Sequence, residues 1–288
     1  MNDVQNMKPR ATFMLNRVGV TGVKKPVSVR RQGRVITLTV ETDMFVDLPA
    51  TQKGSHMSRN VEVLDEAVAD AFKEPAPGLE HMAAAVARAL LSRHEYATRA
   101  EVRMEADYFL RRNAPSGRET IEPYRLTARA IAYMDGGKVR LNRTIGVVVT
   151  GMTTCPCAME GIRAMVRDRA AESPAITHNQ RNITTLTIDG GEGIEVEADD
   201  LIDIVEGALS SPTYEILKRG DEAAIVLRAH ENPKFVEDVV RDILGAVLER
   251  YSTLPGDTLV TVKSESQESI HKHNAFAERV TTLRELKA

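Results

Sequence analysis

The stretch Thr153–Glu160, TTCPCAME, constrains most strongly how this chain can fold. It holds both cysteines of the sequence, Cys155 and Cys157, on either side of Pro156. A strand-like apolar run precedes it and a helix-like run, Ala158–Ala171, follows it, so the two thiols lie where a strand gives way to a helix. A Cys-Pro-Cys disulfide would be strained, and we expect two free thiols. They are either small buried hydrophobes or, for one of them, a metal ligand.

The pattern of apolar residues on either side predicts a mixture of strands and long helices. The predicted strands are Arg17–Val23, Arg34–Val46, Ala100–Phe109, Tyr124–Met134, Lys138–Val149, Asn182–Ile188, Ala224–Ala229 and Asp257–Ser264. The predicted helices are Val61–Phe72, Leu79–His94, Ala158–Ala171, Asp199–Leu209, Thr213–Arg219, Phe235–Tyr251 and Phe276–Leu286. Asp135-Gly136-Gly137 predicts a hairpin between two of the strands.

The similar order of elements in the two halves indicates two copies of one architecture, an α+β sheet with helices on one face. We place the first domain at residues 1–150 and the second at residues 151–288. The second domain then carries most of the candidate site residues.

Composition excludes several classes of protein. With 42% hydrophobic and 27% charged residues, the 288-residue chain is typical of a soluble globular protein. Its net charge of -3 argues against binding to nucleic acid or to a membrane surface without sequence preference. No apolar stretch is long enough to span a bilayer, and the first residues lack the apolar region of a signal peptide. We therefore expect a cytoplasmic protein.

Three polar stretches could complete a site with the cysteines: His178–Arg181, Lys218–Glu222 and Glu268–His273. Together they supply thiolate, imidazole and carboxylate, a ligand set that binds zinc or ferrous iron. For each histidine, the alternative to metal binding is an ordinary hydrogen-bonded side chain that binds no ligand. We interpret two histidines of the Leu79–His94 helix, His81 and His94, as surface residues.

Two glutamates have a possible chemical role as well as an ordinary one. Glu268 lies three residues before His271, which brings a carboxylate near a metal-bound water, as general acid–base catalysis requires. If the preceding strand continues, His271 and His273 share a face, and His273 could touch a ligand phosphate. Glu237 begins a helix, where acids are favoured, but it could also accept both N–H groups of a guanine edge.

Six segments, in order, resemble the type IB GTP cyclohydrolases, and the resemblance extends from about Val18 to Arg279. The wide Cys157–His178 spacing resembles the archaeal branch, a ferrous-dependent enzyme of methanopterin biosynthesis. The bacterial branch, which serves folate synthesis, has Ser where this chain has Asn182. The six segments are DLPATQKGSHMSR, TTCPCAME, HNQRN, YEILKRGDE, NPKFVEDVVRD and ESIHKHNAFAER.

The resemblance implies a tandem tunnelling fold and a homo-oligomer, a dimer or tetramer, with active sites at subunit interfaces. It implies catalytic roles for Glu268 and Cys155, and a guanine anchor at Glu237. The implied metal ligands are Cys155, His178, Glu222 and His271, with Glu215 close to Glu222 in the same stretch. Substrate is also expected to meet His273, and the candidate phosphate-binding cations are Lys53, Arg59, Arg181, Lys218 and Arg219.

The implied reaction converts GTP to 7,8-dihydroneopterin 2′,3′-cyclic phosphate, with release of formate and pyrophosphate. Fe(II) is the metal that the family suggests, whereas the ligand set alone also permits Zn(II) or Mn(II). Two alternatives remain open. One is a bacterial-type enzyme that makes 7,8-dihydroneopterin triphosphate for folate, and the other is a non-catalytic purine- or pterin-binding module of the same fold.

Overall fold

A computed structural model describes residues 3–31, 33–166 and 176–287 of the chain. Within these ranges it contains nine strands and seven helices. The strands are β1 (Leu15–Arg31), β2 (Arg34–Leu48), β3 (Arg99–Asn113), β4 (Glu119–Asp135), β5 (Lys138–Thr154), β6 (Asn179–Gly191), β7 (Ser211–Pro212), β8 (Leu259–Gln267) and β9 (Ala275–Thr282). The helices are α1 (Ser58–Lys73), α2 (Leu79–Arg93), α3 (Pro156–Met165), α4 (Ala198–Ala208), α5 (Arg219–Glu231), α6 (Val236–Arg250) and α7 (Leu283–Leu286). The predicted α+β class is confirmed.

The long strands form because their side chains alternate between two environments. Along β4, Thr120, Glu122, Tyr124 and Leu126 are buried while the residues between them are exposed. This period of two gives a sheet one protected face. The predicted hairpin after β4 is confirmed, because Gly136 and Gly137 both have positive φ, 55° and 79°, as a tight turn between twisted strands requires.

Contacts between Cα atoms divide the chain into two compact units, neither of them a single continuous segment. Unit 1 consists of Met1–Asp107, Leu126–Ile145 and Asp189–Glu195. Unit 2 consists of Tyr108–Arg125, Gly146–Ile188 and Val196–Ala288. Strands β3 to β6 thus contribute residues to both units. The predicted domain boundary at residue 150 stays a prediction.

Unit 1 is built on antiparallel pairing of β1 with β2 and of β2 with β3. Helix α1 packs against β1, and α2 packs against both α1 and β2. Its interior is aliphatic, because the chain has no Trp and few aromatic residues. Fully buried members of this core include Val27, Val40, Met44, Leu64, Leu79, Val86, Leu90 and Met104.

Unit 2 carries β8 and β9, an antiparallel pair joined by a seven-residue loop, 268–274. Its strand order is β3-β4-β5-β6-β8-β9, with the short β7 paired to β5. Helix α6 packs against β8, β9 and α4. Its core includes Val147, Val149, Leu186, Leu201, Ile202, Val239, Ile243, Val260 and Val262.

Two neighbouring predictions in unit 2 are wrong. Residues 213–218, predicted as helix, form none; the Glu215 N–H instead donates to the carboxylate of Glu122 at 3.0 Å, which holds this segment along β4. Ala224–Ala229, predicted as a strand, lies inside α5. The helix begins where Asp221 accepts a hydrogen bond from the Lys218 N–H, and Ile225 and Ala229, four residues apart, form its buried face.

The predicted helix Phe276–Leu286 is also largely wrong, because its first part is strand β9. Pairing with β8 runs from Ser266↔Ala275 to Leu259↔Thr282 and overrides the helical pattern. Only the short α7 follows, where the Thr282 hydroxyl accepts from the Glu285 N–H at 3.3 Å. The end of another predicted helix, residues 167–171, lies outside the described residues.

The prediction that His94 is a surface residue is wrong as well, since its side chain is 0% exposed at the end of α2. His81 is partly exposed, at 19% of its side chain. Among the described helices, none has the length and apolar character needed to cross a bilayer. The cytoplasmic location stays a prediction.

Candidate active site

One cavity of unit 2, of about 290 Å³, collects residues from four parts of the chain. Its walls are the turn after β5, the start of β6, the first turn of α6, and the segment around the β8–β9 loop. The lining residues are Cys155, His178, Gln180, Lys234, Phe235, Val236, Glu237, Ser266, Glu268, His271, His273, Ala275 and Phe276. The cavity therefore brings together six predicted site residues that are up to 118 positions apart in sequence, from Cys155 to His273.

Cys155 lies between the end of β5 and the start of α3, the change from strand to helix that the sequence predicted. It is the N-cap of α3, Pro156 is the first helical residue, and the Cys155 sulfur accepts the N–H of Ala158 at 3.4 Å. Its own N–H donates to the His178 carbonyl at 3.1 Å, and its carbonyl accepts the Thr177 hydroxyl at 2.6 Å. These contacts hold Cys155 beside Thr177 and His178. Both cysteines are free thiols, as predicted, and Cys157 is exposed.

His178 immediately precedes β6 and is oriented by Gln180, the second residue of that strand. The Gln180 carbonyl oxygen lies 3.0 Å from His178 Nδ1, which is therefore the nitrogen that carries the proton. The other nitrogen, Nε2, keeps its lone pair and has no hydrogen-bond partner among the described residues. This is the tautomer in which an imidazole can bind a metal.

Glu268 is held by the same glutamine. Gln180 Nε2 donates to Glu268 Oε1 at 3.3 Å, while Glu268 Oε2 lies 3.8 Å from His178 Nδ1. The side chains of His178 and Glu268 are only 13% and 10% exposed. Gln180 therefore connects an imidazole and a carboxylate in a largely dehydrated place, where charge interactions are strong.

The β8–β9 loop places two histidines at the rim of the cavity. Strand β8 ends at Gln267, so the strand does not continue through these residues as supposed. His271 and His273 nevertheless lie side by side, with stacked rings 5.0 Å apart at an angle of 14°. Both are exposed, and both line the cavity.

Glu237 is an exposed carboxylate in the first turn of α6, as predicted. It lines the cavity with the two preceding residues of the chain, Phe235 and Val236. The first turn of a helix favours a negative charge, which accounts for an acid here without any ligand. Its position at the cavity is what makes a binding role possible.

Six other predicted site residues do not line this cavity. In unit 2, Glu222 is exposed in the first turn of α5, beside Lys218 and Arg219, and Arg181 is exposed on β6. In unit 1, Lys53 is exposed before α1, and Arg59 donates to the Arg93 carbonyl at 3.3 Å. Their roles stay predictions. Across the described ranges, no three His, Cys, Asp or Glu side chains are arranged to hold a metal ion.

Sequence reasoning missed three polar lining residues: Gln180, Ser266 and Lys234. Gln180 was part of the HNQR segment but received no role, although its place two residues from His178 in a strand could have suggested a shared face. Lys234 is only 14% exposed, and its ammonium contacts Asp242 at 2.7 Å and the Ala208 carbonyl at 2.9 Å. No local pattern distinguishes Ser266 from an ordinary strand serine.

Nearly the whole sequence matches a known family. The family described as type I GTP cyclohydrolase folE2 matches residues 1–277. This chain belongs to the type I GTP cyclohydrolase family. The predicted resemblance is confirmed, and with it the expectation that the protein is an enzyme.

Two curated relatives have nearly the same length as this chain. It is 41% identical to "GTP cyclohydrolase MptA" of Methanobrevibacter smithii over 300 residues, covering 99% of this chain and 96% of the relative. It is 43% identical to the protein of the same name from Methanosphaera stadtmanae over 301 residues, with the same coverage.

Solved structures of much lower identity share the fold. Urate oxidase from Bacillus sp. TB-90 superposes with a TM-score of 0.55 at 13% identity, covering 93% of this chain and 100% of that one. Uricase from Arthrobacter globiformis gives a TM-score of 0.52 at 9% identity, covering 93% of each chain. At such identity the likeness shows the fold alone, and it confirms the predicted tunnelling-fold class.

Proposed function

We propose that this type I GTP cyclohydrolase is metal-dependent and makes 7,8-dihydroneopterin 2′,3′-cyclic phosphate from GTP, with release of formate and pyrophosphate, as the first step of methanopterin biosynthesis. The observation that carries the proposal is the convergence of Cys155, His178, Glu237, Glu268 and His271 on one cavity of a chain in this family. The relatives from methanogens, each named GTP cyclohydrolase MptA, favour this branch over the folate enzyme.

The chemical types of the donors in the cavity, a thiol and imidazoles, suit a divalent transition metal. Thiolate and imidazole ligands suit Fe(II), Zn(II) and Mn(II) far better than Mg²⁺ or Ca²⁺, which prefer oxygen ligands. Cys155, His178 through Nε2, and His271 would hold the metal, with Glu222 as the predicted fourth ligand. We take Fe(II) as the native metal. When bound, such a metal acts as a Lewis acid that makes hydroxide available near neutral pH.

Glu237 would bind the guanine. Its two carboxylate oxygens can accept the two adjacent N–H groups of the guanine edge, a bidentate pair that positions the base as well as binding it. Because Glu237 follows Phe235 and Val236, the ring also meets an apolar wall. This orientation would leave C8, on the opposite edge of the base, toward the Cys155 and Glu268 side of the cavity.

Glu268 would move the protons. It would take a proton from the water that adds to C8 and deliver it to the ring nitrogen that leaves C8, in each of the two hydrolytic steps that release C8 as formate. Gln180 keeps the carboxylate in place through the 3.3 Å hydrogen bond. The opened ribose then rearranges and closes into the dihydropterin.

The triphosphate needs cations beyond this cavity. Among the described lining residues Lys234 alone has a permanent positive charge, and Asp242 already pairs with it. We therefore propose that Arg181, Lys218, Arg219, Lys53 and Arg59 include the phosphate-binding groups and that some come from another copy of the chain. A homo-oligomer, dimer or tetramer, with shared active sites would provide them.

The deciding experiment is anaerobic incubation of the purified protein with GTP and Fe(II), followed by measurement of formate and by phosphorus NMR of the products. We expect formate, pyrophosphate and a five-membered cyclic phosphate signal. A pterin triphosphate would identify the bacterial-type reaction instead. Tight GTP or pterin binding without any formate would indicate a non-catalytic module.

The metal assignment can be tested with a matched pair of variants at two cysteines that are two positions apart in sequence. Cys155→Ala should lose bound metal and formate release together, because the thiolate inside the cavity is gone. Cys157→Ala should keep both, because Cys157 is exposed and does not line the cavity. Elemental analysis of the two purified variants measures this, and equal metal loss in both would overturn the assignment.

A further inference from the structure

Beside the cavity, a group of buried polar side chains joins three strands of unit 2. It comprises one amide and four hydroxyls, none more than 1% exposed, on β5, β6 and β8. Buried polar groups are costly unless they are hydrogen-bonded, so such a cluster needs a reason. Its members, which we name the strand-tie network, are Thr153, Asn182, Thr184, Ser264 and Ser266.

Asn182 is the centre of the strand-tie network and uses its whole hydrogen-bonding capacity. Its amide nitrogen donates to the hydroxyls of Ser264 and Ser266, both at 2.9 Å. Its amide oxygen accepts from Thr184 at 2.6 Å and from Ser264 at 3.2 Å. An asparagine bonded in this way can take one orientation only.

Ser266 connects the network to the cavity. Its hydroxyl accepts from Asn182, so its own proton is free to donate to the Thr153 hydroxyl, 2.9 Å away. Ser266 also lines the cavity. Because β6 lies between β5 and β8 in the strand order, this contact reaches across β6 and ties all three strands.

At the cavity end of each of the three strands, a cavity residue lies two positions from a member of the network: Gln180 is on β6, whereas Cys155 and Glu268 are the first residues after β5 and β8. Cys155 follows Thr153, Gln180 precedes Asn182, and Glu268 follows Ser266. Two positions along an extended chain bring side chains to the same face, about 7 Å apart. The hydrogen bonds therefore act on the strand ends that carry the sulfur, the amide and the carboxylate of the cavity.

Within β5, β6 and β8, the buried polar residues of this face lie at the end nearest the cavity. On the buried face, each strand is aliphatic further from the cavity and turns polar as it approaches it. The aliphatic pairs are Val147 and Val149 on β5, Leu186 and Ile188 on β6, and Val260 and Val262 on β8. Aliphatic packing would fill this space equally well, but it has no direction, whereas hydrogen bonds fix the positions of their partners.

We propose that the strand-tie network, with Asn182 at its centre, sets the relative positions of Cys155, Gln180 and Glu268, and that Asn182 is a positioning residue for the reaction. It acts through those residues, since it does not itself line the cavity. Its effect on turnover rests on the proposed function, whereas its effect on the geometry around the Cys155 sulfur does not.

The main test is Asn182→Ala. We expect kcat for formate release to fall about 10- to 100-fold, the range that follows from displacing catalytic groups by up to ~1 Å. KM for GTP should change much less, because the guanine anchor on α6 is not part of the network. Tyr108→Phe is the matched control: it removes a buried hydrogen bond to Asp199 in the same unit, and it should lower the melting temperature without lowering kcat.

Thr153 offers a milder pair of variants if Asn182→Ala does not fold. Thr153→Val keeps the shape but loses the hydroxyl that contacts Ser266, and should lower kcat by a smaller factor. Thr153→Ser keeps the hydroxyl and should restore kcat toward the wild-type value. Loss of activity in both, or in neither, would overturn the proposal.

A measurement independent of turnover is titration with Co²⁺, followed by the thiolate-to-metal charge-transfer absorption. Asn182→Ala and Thr153→Val should weaken or shift this absorption, while Tyr108→Phe should not. If the wild-type protein released no formate but the absorption still changed in this way, the proposed function would fail and the positioning role would stand. Two outcomes for the Asn182 and Thr153 variants would refute the positioning role. One is an unaltered absorption together with the wild-type kcat. The other is a loss of kcat that only matches the fraction of unfolded protein.

Discussion

Two histidines, one in each unit, have amide partners of the same kind but different environments. His94 in unit 1 is 0% exposed: Nε2 contacts Asn60 Oδ1 at 2.9 Å and Nδ1 contacts the Tyr96 hydroxyl at 2.9 Å. His178 in unit 2 has the Gln180 amide at Nδ1 only, and it faces the cavity. The first ring has both nitrogens engaged inside the protein, whereas the second keeps one for a ligand.

The comparison shows how burial and partners separate a structural histidine from a reactive one. Burial, with the positive charges of Arg59, His56 and Arg93 nearby, lowers the pKa of His94 from 6.5 to about 4, so the ring stays neutral. It contributes to stability and cannot easily bind anything. We expect changes near His178 to affect the reaction and changes near His94 to affect folding.

The largest expected effect is on the reaction. Glu268→Gln should lower kcat about 10²- to 10⁴-fold, the usual value of a general acid–base, while metal content stays at the wild-type level. Formate release and bound iron would be measured anaerobically. Glu278→Gln, an exposed carboxylate of β9 outside the cavity, is the control. Metal loss in Glu268→Gln would mean that Glu268 is itself a ligand.

The next effect concerns stability. His94→Ala should lower the free energy of unfolding by about 2–4 kcal/mol, since it leaves a cavity and two buried partners without their hydrogen bonds. Urea unfolding would measure it. His178→Ala should cost much less stability and should instead lose metal. If the two variants were equally destabilised, the distinction between the two histidines would be wrong.

Substrate binding gives a smaller effect. Glu237→Gln replaces a carboxylate oxygen by an amide donor facing the guanine N–H groups, and should weaken GTP binding by about 1.5–3 kcal/mol without changing metal content. Calorimetry in the absence of turnover would measure the affinity. Glu249→Gln, exposed near the other end of the same helix, should bind GTP normally. Equal affinity in both variants would remove Glu237 as the anchor.

The smallest effect is a pH dependence from His94. The unfolded chain binds a proton at this group below its ordinary pKa of 6.5, whereas the folded protein does so only near 4. Stability should therefore be constant above pH 6.5 and should decline below it, by about 1–2 kcal/mol at pH 5. The free energy of unfolding, measured with urea at pH 6.5 and at pH 5, should lack this decline in His94→Gln. An unchanged decline in the variant would contradict the lowered pKa.

Several elements of both units could be predicted from local sequence. The turn at Gly136-Gly137, the helix that starts after Cys155, and α6 with its glutamate in the first turn each depend on residues within a few positions. The motif segments also gave the family, because ordered matches along the whole chain are specific even where each is weak. Six members of the predicted site indeed line one cavity.

Other elements were decided by distant partners. Strand β9 exists because it pairs with β8. Residues 213–218 are not helical because Glu215 is bound to Glu122, 93 positions earlier in the chain. The AAIVLRA segment of α5 has strand-like composition, but its buried residues at Ile225 and Ala229 and its start at Asp221 make it helical. Local propensity is weak compared with such tertiary contacts.

By itself, the sequence determined the family, the α+β class and the chemical types of the site residues, since these depend on residue identity and short spacing. The tertiary structure alone decided that Gln180 joins His178 to Glu268, that Asn182 joins β6 to β8, and that His94 is buried. The first two result from hydrogen bonds between groups that the sheet brings together, such as Asn182 and Ser264, which are 82 positions apart in sequence. His94 is buried where the end of α2 contacts Asn60 of α1, 34 positions away. No local pattern encodes such contacts, because their free energy exists only once the strands are paired.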